Sequence, residues 1–96
     1  MSSSITIAKV VLAAALSMAG YEEPNQQVAG LSEENAEAIM VTLLSESSRE
    51  RLERIMNEAR SNGVMRADDL DPDQQTTLKE IAGEAGGAIV MSKPLF

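Results

Sequence analysis

The chain has 96 residues, 44% of them apolar and 24% charged, with a formal net charge of −7 and no Cys, His or Trp. Without Cys there are no disulfides, thiolate nucleophiles or thiolate-bound zinc; without His there are no imidazole ligands, Ser-His-Asp triads or the usual general base near neutral pH. The length is that of one domain, and one Tyr and one Phe leave Leu, Ile, Val, Met and Ala to build its core.

The spacing predicts a first helix over about 4–19, with Ser4 as N-cap and Gly20 as the stop. Ile7, Val10, Val11, Ala14 and Met18 follow the helical period, and Leu12, Ala13, Ala15 and Leu16 fill the other sides. A helix apolar almost all round belongs at the centre of a fold or in an interface, and Ala13-Ala14-Ala15 lets another backbone come close. Gly20, Pro24, Asn25 and Gly30 make 20–31 read as a loop.

A second helix is expected over about 33–45, capped by Ser32, with Glu33 and Glu34 where the helix dipole favours negative charge. Ala36, Ile39, Met40 and Leu43 form its core stripe. A third is expected over about 48–61, with Ser47 and Glu50 as an S-x-x-E capping box and Asn62-Gly63 as the C-cap. Leu52, Ile55, Met56 and Ala59 give it one narrow apolar face, and Glu50–Arg54 and Arg54–Glu58 sit at pairing distance along it. The short join makes helices two and three antiparallel or sharply angled neighbours.

The last helix starts at Asp71-Pro72, with Asp71 as cap and Gln74 at the capping-box position. Leu78, Ile81, Ala82 and Ala85 form its stripe. Gly83, Gly86 and Gly87 weaken it, so it is expected to end near Gly86, with Ala88–Met91 helical or extended. The fold class is therefore all-α: a compact bundle of about four helices over 1–91, with an extended tail over 92–96 held open by Pro94.

Charge is unevenly spread. Residues 21–47 hold six Glu and no base, 48–66 hold five Arg against three Glu, and 67–84 hold four Asp and two Glu against one Lys. The acidic balance disfavours nucleic acid and anionic membranes. Arg49, Arg51 and Arg54 are the local exception. They would front the second helix of a helix-turn-helix-like nucleic-acid binder, the alternative function, although Glu50, Glu53 and Glu58 share their arc. Asp69, Asp71, Asp73 and Glu80 resemble the first, third, fifth and twelfth positions of an EF-hand calcium loop. Gln74 stands where the loop needs Gly, and Pro72 lies inside it, so no metal site is assigned.

No catalytic residue and no cofactor is assigned either; Lys79 and Glu80 are adjacent and do not face each other on a helix. Leu95 and Phe96 give the tail an apolar end suited to a groove on a partner, on a second copy, or on its own domain. Pro94-Leu95-Phe96 resembles the Leu-Phe end of peptides that bind bacterial sliding clamps, but the Gln expected before it is missing and the resemblance is not adopted. The function expected is a non-enzymatic interaction module that binds a protein partner or itself as a homo-oligomer. Leu95, Phe96, Arg49, Arg51 and Arg54 are its candidate binding residues. Phage-type accessory, inhibitor or virion proteins are of this size and composition, which puts the expected location in the cytoplasm, that of the host cell for a viral protein. Lys9, the apolar run Val10–Leu16 and Ser17-Met18-Ala19 also fit a cleaved leader, so a small exported protein is a further alternative. That run is too short to span a bilayer, which takes about 20 apolar residues.

Overall fold

The protein is described by a computed structural model over residues 6–92. Its elements are α1 (Ile7–Met18), α2 (Pro24–Ala29), α3 (Glu33–Leu43), α4 (Glu46–Asn62), a 3₁₀ turn (Ala67–Asp69) and α5 (Pro72–Ser92). The described residues form an all-α bundle of four longer helices and the short α2.

Contacts between the helices set their directions. Ser48, Arg51 and Glu58 of α4 meet Glu84, Glu80 and Gln74 of α5 in reversed order, so these two helices are antiparallel. Arg60 near the end of α4 lies 3.9 Å from Glu37 near the start of α3, as expected of helices joined by so short a turn. α1 runs in the same sense as α5. Its start is tied by the Thr6 N–H to the Met65 carbonyl (2.9 Å), just ahead of α5, while Ala15 and Met18 lie against Gly86.

The core is aliphatic. Ile7, Met40, Leu52, Met56 and Ile81 are its largest fully buried side chains. Gly86 marks the closest approach of two helices: a Cβ there would stand 3.0 Å from the Ala15 carbonyl oxygen and 3.2 Å from the Met18 Cβ. Ala15 of the alanine run and Gly86 of the glycine cluster are thus two halves of one contact. For that reason α5 does not end near Gly86. It continues through Ala88–Met91 and takes in Ser92, where the sequence places the start of the extended tail. Burial of Ala85, Gly86 and Ile89 against the bundle compensates for the weak helix propensity of glycine.

Other boundaries also move. The stretch expected as a loop contains α2, begun by Pro24 at its first turn and anchored by buried Val28. Glu23 precedes it in the left-handed region, at φ 55°. Ser4 lies outside the described residues, and α1 starts at Ile7 with Thr6 in the cap position making no side-chain cap bond. The box expected of Ser47 and Glu50 is not formed. α4 begins at Glu46, and the cap is Ser45, whose hydroxyl accepts the Ser48 N–H. Local capping elsewhere matches expectation. Ser32 Oγ accepts the Asn35 N–H (3.0 Å), and Gln74 Oε1 accepts the Asp71 N–H (3.3 Å). Gly63, at φ 73°, closes α4 with the Val64 N–H on the Ala59 carbonyl at 2.8 Å.

Candidate functional site

Two carboxylates hold the surfaces in place by capping helices other than their own. Glu33, in the first turn of α3, accepts the N–H of Ala8 (2.5 Å) and of Lys9 (3.1 Å). It thereby satisfies two first-turn amides of α1, whose cap residue Thr6 makes no side-chain cap bond. Burial raises its pKa, the two backbone donors and Arg60 oppose the rise, and Glu37 adds to it. Glu84, in the middle of α5, accepts the Ser48 hydroxyl and the Ser45 N–H, both at 2.6 Å. It does for α4 what the Glu of a capping box does within its own helix. The Ser48 hydroxyl and then the Ser45 N–H hold the Glu84 carboxyl below the usual carboxylate range.

With these ends fixed, apolar surface is exposed in two places among the described residues. One is a seam along α1 and α5. Val10, Ala14 and Met18 follow one another along α1, and Lys79, Gly83, Gly87 and Val90 fall at i, i+4, i+8 and i+11 along α5. Val10 and Val90 are each 46% exposed and Met18 55%. Met91, at 82%, lies beside Val90. A depression of about 210 Å³ at the seam's near end is lined by Val10, Val11, Ala14, Met18, Leu78, Lys79 and Ala82, with Ala67, Asp68 and Gln75 at its border. Among the described residues, nothing beyond the local backbone of α5 lies within 4 Å of a Cβ built on Gly83 or Gly87, so the α5 side of the seam has room for a neighbouring backbone.

The other is a groove of about 470 Å³ where α1, α2, α3 and the end of α5 meet. Leu12, Leu16, Val28 and Ile89 line it together with Tyr21, Leu31, Ile39 and Leu43, and Gln27, Thr42 and Ser92 are its polar members. The sequence signals behind it are the one Tyr, the partly exposed Ile39 and the short α2, which the loop assignment obscured.

The candidate residues of the sequence divide differently. Leu95 and Phe96 lie outside the described residues. Of Arg49, Arg51 and Arg54, the last two border one cleft and Arg49 is not among its lining residues. Arg49 Nε donates to the Leu44 carbonyl at the end of α3 (3.2 Å), and Arg51 pairs with Glu80 across α4 and α5 (3.0 Å). Arg54 borders a small cleft of about 190 Å³ with Arg51, Ile55, Gln74 and Thr77, where Glu58 and Asp73 offset its charge. Neither Glu50–Arg54 nor Arg54–Glu58 closes as an ion pair among the described residues; Glu58 accepts Gln74 Nε2 instead (2.8 Å).

The acidic run also disperses. Asp69 ends the 3₁₀ turn, Asp71 gives its N–H to Gln74 Oε1 just ahead of α5, and Glu80 pairs with Arg51. Among the described residues no three acidic side chains gather as a metal site, and no helix is long and apolar enough to cross a membrane. Comparison of the chain with models of protein families, with curated proteins and with solved structures returned no match.

Proposed function

We propose that the protein is a non-enzymatic helical interaction module that associates with a second copy of itself through the α1/α5 seam. The observation that carries this is the exposure of Val10, Met18 and Val90 on the two helices that pack most closely, beside glycines that leave room for a facing backbone. Isolated apolar residues on a surface are ordinary, whereas a contiguous row of them marks a contact surface.

Physical chemistry favours a second copy as the occupant. A two-fold interface sets the same patch against itself, so an apolar seam meets an apolar seam. The seam carries Lys79, with Asp68 at its border, whereas Glu80 and Glu84 of the same helix as Lys79 are turned to α4. An otherwise acidic chain of net charge −7 thus has a face where two copies approach without opposing rows of carboxylates. Its small aliphatic core would also gain from the apolar burial that assembly adds.

The test is the solution mass of the intact chain and of Met18→Glu and Val90→Glu variants. The Arg residues serve as a control, because Arg49→Ala, Arg51→Ala and Arg54→Ala leave the seam untouched. If those three changes abolish a salt-dependent affinity for DNA or RNA while the seam variants do not alter mass, the nucleic-acid alternative replaces this one.

A further inference from the structure

We propose that Met18 and Met91 form an oxidation site, at which a peroxide converts the α1/α5 seam from an associating surface into a non-associating one; this rests on self-association through that seam. Composition gives the first reason. The chain has six Met and no Cys, Trp or His, so its thioethers are the groups most readily oxidised by a two-electron oxidant. No thiol within the chain competes for the reagent.

The fold then sorts the thioethers. Met40 and Met56 are fully buried in the core, and Met65 is 37% exposed in the connection after α4. Met18 and Met91 are the two most exposed large apolar side chains among the described residues. Both belong to the seam. Met18 lines its depression and has its Cβ 3.2 Å from the place of a Cβ on Gly86. Met91 stands four residues after Gly87, the spacing of one helix face.

The step is an oxygen-atom transfer. A sulfur lone pair attacks one oxygen of hydrogen peroxide, and the S–O bond forms as the O–O bond breaks. The departing hydroxide takes the proton of the transferred oxygen and leaves as water. Sulfur is oxidised by two electrons and the peroxide is reduced by two. The sulfoxide puts a strong acceptor where the thioether was apolar. Ala14, Gly83, Gly87 and Val90 of the seam carry no side-chain donor to meet it. Closing a second copy over the seam would then bury an unsatisfied polar group. The change adds no charge and spares the buried Met40 and Met56, so the monomer keeps its fold.

The experiment treats the intact chain and a Met18→Leu, Met91→Leu double variant with limiting hydrogen peroxide. Light scattering reads solution mass, circular dichroism reads helix content, and peptide mass spectrometry reads the oxidised positions. Leu keeps the seam apolar at nearly the same volume and is inert to peroxide. Expected in the parent are sulfoxides at Met18 and Met91 with Met40 and Met56 intact, unchanged helix content, and a dissociation constant raised by at least about tenfold. The variant should stay associated although its Met65 oxidises. A parent oxidised at Met18 and Met91 that remains associated would overturn the proposal while self-association stands. So would oxidation of Met40 or Met56 ahead of them, or a variant that dissociates as the parent does. An untreated parent that is monomeric would overturn both.

Discussion

Glu84 accepts the Ser48 hydroxyl at 2.6 Å, joining the middle of α5 to the first turn of α4 across 36 residues of sequence. Ser48 is 4% exposed and is the one buried polar side chain among the described core residues. Its hydroxyl and the Ser45 N–H depend on the same carboxylate. Removal of that carboxylate in Glu84→Ala is expected to cost about 1–3 kcal/mol, the penalty for stranding a buried donor. Glu84→Gln, which keeps one acceptor oxygen, should cost less. Chemical denaturation of both variants checks the order.

The same bonds make the effect pH-dependent. Glu84 is held below the usual carboxylate range, so the unfolded chain binds its proton more readily than the folded one. Its contribution is present above the ordinary Glu pKa and is lost as pH falls through the depressed folded value. Glu33 has the opposite sign. Burial raises its pKa, so the folded chain binds the proton more readily, and its share of stability declines as pH rises from the ordinary Glu value through the raised one. Denaturation across the acidic range should show the Glu84→Gln variant losing less stability on acidification than the parent. Glu33→Gln should lose less than the parent as pH rises.

The three glycines of α5 should separate on substitution by Ala. Gly83 and Gly87 are open, so Ala there gains helix propensity of about 0.5–1 kcal/mol in the monomer. At Gly86 the new Cβ meets the Ala15 carbonyl, which is backbone and cannot swing aside. Overpacking of that kind costs about 1–3 kcal/mol and outweighs the propensity gain. Thermal melts of the three variants under monomeric conditions would show opposite signs.

Capping of α4 gives a further contrast. Ser45→Ala removes the side-chain cap and should destabilise by about 1 kcal/mol. Ser47→Ala, at an exposed position inside the helix, should change stability by a few tenths at most. Equal losses at the two positions would contradict the placement of the helix start.

Which features were legible follows from how far apart their partners stand. Ser32, Asp71 with Gln74, and Gly63 act on residues within four or five positions, so short patterns reveal them. Glu33 and Glu84 act on helices 24–39 residues away, and nothing in the local pattern around Ser45 or Thr6 announces them. Gly86 looks like a helix terminator until Ala15 is placed against it, because propensity is local and packing is not. The site suffers from the same limit. The apolar character of α1 indicates an interface or a core, and only the packing shows that one side, Val10 to Met18, stays open. The Arg group reads as a face in sequence, and only the fold shows Arg49 donating to the Leu44 carbonyl and Arg51 paired with Glu80.

The most direct test of the seam is the mass in solution, by light scattering, of the intact chain and of the Met18→Glu, Val90→Glu double variant. Self-association through α1 and α5 predicts a dimer or larger species for the intact chain and a monomer for the variant, with helix content unchanged by circular dichroism. A monomeric intact chain, or an oligomer whose mass the two substitutions leave unaltered, would contradict it.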